Sequence, residues 1–153
     1  MSSPGDGDGW SRCALGHRHW GFYGAAGLLL WHGDRILLQH RALWSHHGGT
    51  WGVLGGARQQ SETAEQAAQR EAAEEAGLEP RSYKLTGCYL DDHGGWSYTT
   101  VIGRADHALA LTALTAETIA VRWVSVDELP TLALHPGFAA SWDAVRAAGG
   151  GAR

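Results

Sequence analysis

A chain of 153 residues with 44% hydrophobic composition is long enough to bury a substantial core and has the make-up of a soluble globular protein. A formal net charge of −4 argues against a general surface for nucleic acids or other polyanions. Cys13 and Cys88 lie far apart without CxxC spacing, which argues against a disulfide framework and fits a reduced, cytoplasmic setting.

The first stretch, "MSSPGDGDGW", carries Gly, Ser, Asp and Pro and reads as a disordered tail over residues 1–10. It has neither the basic region nor the apolar run of a signal peptide. "AAGLLLW", 25–31, is too short to span a bilayer. "GFYGAAGLLLWHGDRILLQHRA" reads as two strands joined by a turn at Gly33 and Asp34. "HHGGTWGVLGGA" reads as Gly-rich loop around a short strand at 51–54. "TAEQAAQREAAEEAG" is the clearest helix, over about 63–76. Thr63 and Gln66 form its capping box, Gly77 stops it, and Pro80 follows.

Two further strands, "YKLTGCYLDD" and "WSYTTVIGRA", flank an "HGG" turn. "IAVRWVSV" is a late strand, followed by a short turn at "DELP". Phe138, Trp142 and Val145 recur at helical spacing and place a C-terminal amphipathic helix over about 137–147. Residues 149–153 read as a frayed end. The order of elements, without repeat or long linker, indicates one mixed α/β layered domain over 11–148.

The helix poses a chemical question. Glu71, Glu74 and Glu75 are related by three and four residues, so they share a sector of about 100°. Glu71 and Glu75 also fall on the side of Ala64 and Ala68, which small side chains adapt for close packing on a sheet. A solvated acidic face would lie opposite that side and carry basic partners four residues on. Here two like charges stand four apart, which destabilises an isolated helix. Three such oxygen donors suit a hard divalent cation, Mg²⁺ or Mn²⁺, although a plain solvated face stands as the alternative from these residues alone.

The upstream residues extend the pattern. "GARQQSETAEQAAQREAAEEAGL", 56–78, resembles the Nudix hydrolase box, G-x5-E-x7-R-E-U-x-E-E-x-G-U with U apolar. Gly56, Glu62, Arg70, Glu71, Glu74, Glu75 and Gly77 fill every fixed position, and Ala72 and Leu78 fill the apolar ones. "GTWGVLGGA" resembles the family's approach to the box, with Leu54 where Pro is common. "VRWVSVDEL" resembles its late strand and turn. Many members carry an acid shortly before that strand; Glu117 is the nearest candidate and Ala120 fills the closer position.

The resemblance implies an α/β/α sandwich with a mixed central sheet. It implies a metal-dependent pyrophosphohydrolase acting on a nucleoside diphosphate linked to another moiety. Glu71, Glu74 and Glu75 would be metal ligands, helped by the carbonyl of Gly56. Arg70 would orient a carboxylate, and Glu62 would brace the loop or assist a metal at longer range. The proton acceptor is Glu71, Glu74 or Glu117, in that order of expectation. Small members of this kind cleave nucleoside triphosphates, including oxidised ones, to the monophosphate and pyrophosphate. ADP-ribose, a nucleotide sugar or an isoprenoid diphosphate is the alternative substrate, and a catalytically silent ligand-binding module the alternative role. The expected partner is therefore a small diphosphate, with no nucleic-acid polymer and no membrane, for a monomer or homodimer. Trp20, Arg41, Trp44 and Glu117 are the candidates for substrate contact. His46 and His47 lie in the same region, and His135 is a weak pocket candidate; an ordinary surface loop is an equal reading of the histidine stretch.

Overall fold

The computed structural model describes residues 23–148, together with the backbone of Trp10–Arg12 and Arg18–Trp20. The expected tail up to residue 9, Cys13, His17 and the expected frayed end at 149–153 lie outside the described residues, as does the side chain of Trp20. Trp10 itself, placed in the tail by its composition, belongs to a strand. β1 (Trp10–Arg12) and β2 (Arg18–Trp20) pair antiparallel as a small separate ribbon.

The main sheet begins with β3 (Ala25–His32) and β4 (Arg35–Arg41), joined through Gly33 at φ 59°. That positive φ is the left-handed conformation a tight hairpin turn requires and glycine adopts without strain. β3 is buried on both faces, which explains its unbroken apolar run. Ala26, Leu28 and Leu30 point to one side, and Leu29 and Trp31 to the other.

β3 and β4 pair only near the turn, at Trp31 with Ile36 and His32 with Arg35. Beyond that the sheet forks. β5 (Trp51–Gly52) pairs with β4. β6 (Leu54–Ala57) pairs antiparallel with the first half of β3. Val53 is the step between the two branches. The stretch expected as loop around a strand at 51–54 is thus two strands, because β3 offers a second partner to the glycines that follow.

β7 (Lys84–Asp92) and β8 (Ser97–Arg104) form the next hairpin, and β8 lies parallel to β3. β9 (Thr118–Ser125) runs antiparallel along β4. The seven strands β3–β9 therefore form one mixed sheet.

Helix α1 (Ala64–Ala76) packs Ala67, Ala68, Ala72 and Ala76 against Leu28, Leu30, Leu54 and Val101. Its start is the expected capping box. The Gln66 amide N–H donates to the Thr63 hydroxyl oxygen at 3.1 Å, and the Thr63 N–H donates to the Gln66 side-chain oxygen at 3.0 Å. At its end Gly77 takes φ 68°, and its N–H and that of Leu78 satisfy the carbonyls of Ala73 and Ala72. Helix α2 (Pro136–Ala148) covers the opposite face, where Phe138, Trp142 and Val145 meet Leu29, Trp31, Ile36 and Ile102. Each helix begins one residue from its expected start. The "DELP" turn is a 3₁₀ turn over Val126–Thr131. The result is the α/β/α sandwich the resemblance implied. No helix among the described residues is long and apolar enough to cross a membrane.

Candidate active site

The site lies where the start of β6 and the loop after it meet α1. Arg70 is its mechanical centre. Its Nε and Nη2 donate to the two carboxylate oxygens of Glu62 at 2.8 and 2.9 Å. Nη2 also donates to the Ala57 carbonyl at 3.0 Å, and Nη1 donates to Glu71 at 2.9 Å and to Glu74 at 3.4 Å. The planar guanidinium suits this task because its donors point in fixed directions. Hydrogen bonding by Arg70 holds the Glu62 carboxyl below its usual range. The Glu62 pairing in turn raises Arg70 further above its already high value. Glu62 is anchored from both sides: its side chain accepts the Gln59 N–H at 2.9 Å, and its carbonyl accepts two bonds from Arg58.

The three helix carboxylates occupy distinct environments. Glu75 is buried and accepts the Gly55 N–H at 2.9 Å. Burial, reinforced by the charge of Glu71, pushes its carboxyl up to about 9. Glu71 presses on Gly56, where a Cβ would lie 2.7 Å from the carboxyl group. Glu74 faces outward, with 55% of its side chain exposed. The charges of Arg41 and Glu117 are both felt at Glu75, Arg41 opposing the upward shift and Glu117 adding to it. Both are therefore within electrostatic reach of Glu75, while the Arg41 Nε donates to the His46 carbonyl at 2.9 Å. Tyr98 lies beneath the carboxylate cluster: a Cβ on Gly27 would collide with its hydroxyl, and one on Gly55 would lie 3.0 Å away. Burial, then Glu75, push the phenol well above its usual range.

The structure thus brings Gly56, Glu62, Arg70, Glu71, Glu74 and Glu75 together, with the charges of Arg41 and Glu117 within reach of Glu75. It does not bring Trp44 in: that side chain is 68% exposed, next to Leu43, on the loop after β4. His46 and His47 lie ring to ring at 4.0 Å, and His47 meets His135 edge-on at 4.6 Å. The His135 Nδ1 accepts the Gly137 N–H at 3.0 Å, so its ring proton sits on Nε2. Burial and the neighbouring His47 lower its pKa to about 4 and keep it neutral near pH 7. Gly55 and Arg58 are contributors that motif reading passed over. The signal available for Gly55 was its place beside Gly56 in the approach to the box. A shallow recess of about 370 Å³ lies at the tip of the β7–β8 hairpin, lined by Tyr23, Trp96 and Ser97 among others. It contains none of the carboxylates, so the charged cluster rather than the recess marks the chemistry.

Among the described residues no three His, Cys, Asp or Glu side chains converge as a ready-made metal cage. The donor set nevertheless fits a hard divalent cation. Its members are all oxygen donors, on one helix face, against a glycine that admits the Glu71 carboxylate. Gly56→Ala is expected to displace Glu71 and lower kcat by about 10²-fold, with a stability loss of about 1–3 kcal/mol. Steady-state kinetics beside a melting curve would check this.

Comparison with known proteins agrees with the geometry. The family model described as NUDIX domain matches residues 22–146. The chain belongs to the Nudix family and is a Nudix hydrolase by fold and by its complete acidic box. It is 51% identical over 157 aligned residues to a Mycobacterium tuberculosis protein provisionally named 8-oxo-dGTP diphosphatase 3, covering 94% of this chain and 71% of the relative. It is 39% identical to part of a Bifidobacterium longum nucleoside triphosphate pyrophosphatase/Nudix hydrolase fusion protein, covering 89% of this chain and 30% of that one. The crystal structure of RenU, a Nudix hydrolase from M. smegmatis, superposes with a TM-score of 0.83 at 45% identity, covering 92% of this chain and 94% of that one.

Proposed function

We propose that this protein is a divalent-metal-dependent pyrophosphohydrolase that cleaves a nucleoside triphosphate, oxidised purine forms included, to the monophosphate and pyrophosphate. The observation that carries this is the intact acidic face of α1, braced by Arg70 and set against Gly56. The oxidised-purine preference is supported by the name of the M. tuberculosis relative. Mg²⁺ is the proposed ion, with Mn²⁺ as a substitute, because both prefer oxygen ligands. The proposed working unit is one domain over 11–148, a monomer or homodimer. A reduced cytoplasmic setting suits the free, exposed thiol of Cys88.

When bound, the cation neutralises charge on the phosphate oxygens and acidifies a water. Glu71, Glu75 and Glu74 would hold it with the Gly56 carbonyl. Arg70 keeps Glu71 and Glu62 from collapsing onto one another or rotating away. Glu74 is better suited than Glu71 to accept the proton of the attacking water. Glu71 is held by Arg70 at 2.9 Å and pressed on Gly56, whereas Glu74 is exposed and held only at 3.4 Å. The water oxygen bonds to one of the two phosphorus atoms of the α–β phosphoanhydride, that bond breaks, and the bridging oxygen leaves on the other product. Arg41 is the proposed cation for the substrate phosphates, and Glu117 a further acid within electrostatic reach of Glu75. Trp44 would have to fold inward to reach a base. Trp20 is retained as a candidate on the sequence alone.

The test is a panel of nucleoside triphosphates, 8-oxo-dGTP, ADP-ribose, nucleotide sugars and an isoprenoid diphosphate, with products separated by chromatography. Pyrophosphate and monophosphate are expected from a triphosphate. Chelation should abolish turnover and added Mg²⁺ or Mn²⁺ restore it. Turnover unaffected by chelation would overturn metal dependence. Cleavage of ADP-ribose or a sugar nucleotide in preference would move the substrate assignment to that class.

A further inference from the structure

Gln39 ends the apolar run of β4, yet it is only 2% exposed. A buried amide without partners would be costly, and this one has them. Its Nε2 donates to the Val53 carbonyl at 3.0 Å. Its Oε1 accepts the Thr118 hydroxyl at 2.8 Å. The orientation of the amide follows from the chemistry, since a backbone carbonyl only accepts.

The two partners belong to segments that lead to different parts of the site. Val53 is the step at which the chain leaves β4 for β3. Two residues on, the Gly55 N–H meets Glu75, and Gly56 then meets Glu71. Thr118 follows Glu117, whose charge reaches Glu75. Here the β4–β9 ladder is irregular: His40 pairs with Ala120 and Arg41 with Thr118, leaving Ile119 as the extra residue. The ladder is thus irregular at Ile119 and resumes beyond it, where the Ala42 N–H donates to the Glu117 carbonyl at 2.8 Å, and β4 and β6 share no ladder. The side-chain bridge spans that second gap and lies beside the irregularity.

We infer that Gln39 and Thr118 are positioning residues for the hydrolytic site, tying the Val53 carbonyl to the start of β9. The bridge sets where Gly55 and Gly56 face Glu75 and Glu71, and where Glu117 faces the same cluster. The Leu54 position, where Pro is common in the box approach, leaves this segment without the rigidity of a proline ring. The bridge supplies a different restraint one residue earlier. The kinetic arm of the test rests on the proposed metal-dependent hydrolysis; the spectroscopic arm does not.

Thr118→Val keeps shape and removes the hydroxyl, leaving the Gln39 oxygen without its donor, while Thr118→Ser keeps the hydroxyl. Thr118→Val is expected to lower kcat about tenfold or more, to weaken Mn²⁺ binding measured by calorimetry, and to shift the Gly55 amide resonance. Thr118→Ser should recover all three. Gln39→Met with Thr118→Val should be no worse than either change alone. The inference is overturned by Thr118→Val protein, folded by circular dichroism, with wild-type kcat and an unshifted Gly55 amide. It is equally overturned if Thr118→Ser is as impaired as Thr118→Val, which would make the methyl group the cause. If the wild type cleaves no member of the panel, the proposed function fails, and the Gly55 resonance still decides the bridge.

Discussion

Glu74→Gln is expected to lower kcat by about 10²–10⁴-fold and to move Tm by no more than about 2 °C. The two halves of this expectation have separate causes. Glu74 is 55% exposed and touches Arg70 only at 3.4 Å, so the fold gains little from its charge. The neutral amide keeps the shape of the side chain but can neither accept the proton of a nucleophilic water nor contribute an anionic oxygen to a cation. Pyrophosphate release and a melting curve on the same preparation read both quantities. Wild-type turnover by the variant would remove Glu74 from the chemistry. A silent ligand-binding module would show no turnover before the substitution either, so the pair of measurements also separates that alternative.

Arg70→Met is expected to fail differently, losing both stability and activity. The Arg70 side chain is 23% exposed and that of Glu62 only 11%. Removing the cation takes two donors from the Glu62 carboxylate, which keeps the Gln59 N–H, and one each from the Ala57 carbonyl and Glu71. Breaking such a shielded pair from one side costs about 3 kcal/mol. The pH dependence gives a second signature. Arg70 depresses the Glu62 pKa in the folded chain below its value of 4.5 in the unfolded chain. As pH falls past the unfolded value, the unfolded chain takes up a proton that the folded chain still refuses. Stability from this pair is therefore complete above that value and declines as pH falls through the folded pKa. In Arg70→Met the largest cause of the depression is gone, leaving the Gln59 N–H and the Arg58 charge, and the acid sensitivity due to Arg70 should go with it. Denaturant titrations of both proteins between neutral pH and pH 3 would check the slope. Equal slopes would show that Arg70 does not set the Glu62 ionisation.

The helix that carries the site was legible because its signals are local. Thr63, Gln66 and Gly77 specify its ends through neighbours three or four residues away, and the alanine stripe specifies its buried face. The burial of Glu75 followed from the same geometry. The fork between β3 and β4 was not legible. Alternation along a strand tells which face is buried, but it does not name the partner strand. β6 reads as Gly-rich loop until β3 is known to be free on that side. Gln39 hid for a related reason, since a single polar residue ending an apolar run resembles a strand turning toward solvent. Its partners, Val53 and Thr118, come from distant parts of the chain. Glu117 stands out by its place before the late strand and Arg41 by its place just before the box, and the charge of each is felt at Glu75. Trp44 carried the same signal and stands exposed, because its loop turns outward after β4.

The forked sheet also governs how the site comes into being. The ends of α1 are specified by neighbours three or four residues away, so the lie of its acidic face is a local matter. The glycines opposite it cannot be ordered that way. They depend on β6 finding β3, on β4 finding β9, and on the parallel pairing that sets Ala25 beside Tyr98. Those closures join segments far apart in the chain and lose much entropy before they return contacts. The grouping of the carboxylates is therefore written into one short segment, while the surroundings that tune them are a property of the whole sheet. Without those closures the acids lack the Gly55 donor, so the helix alone holds the ingredients of the site without its environment.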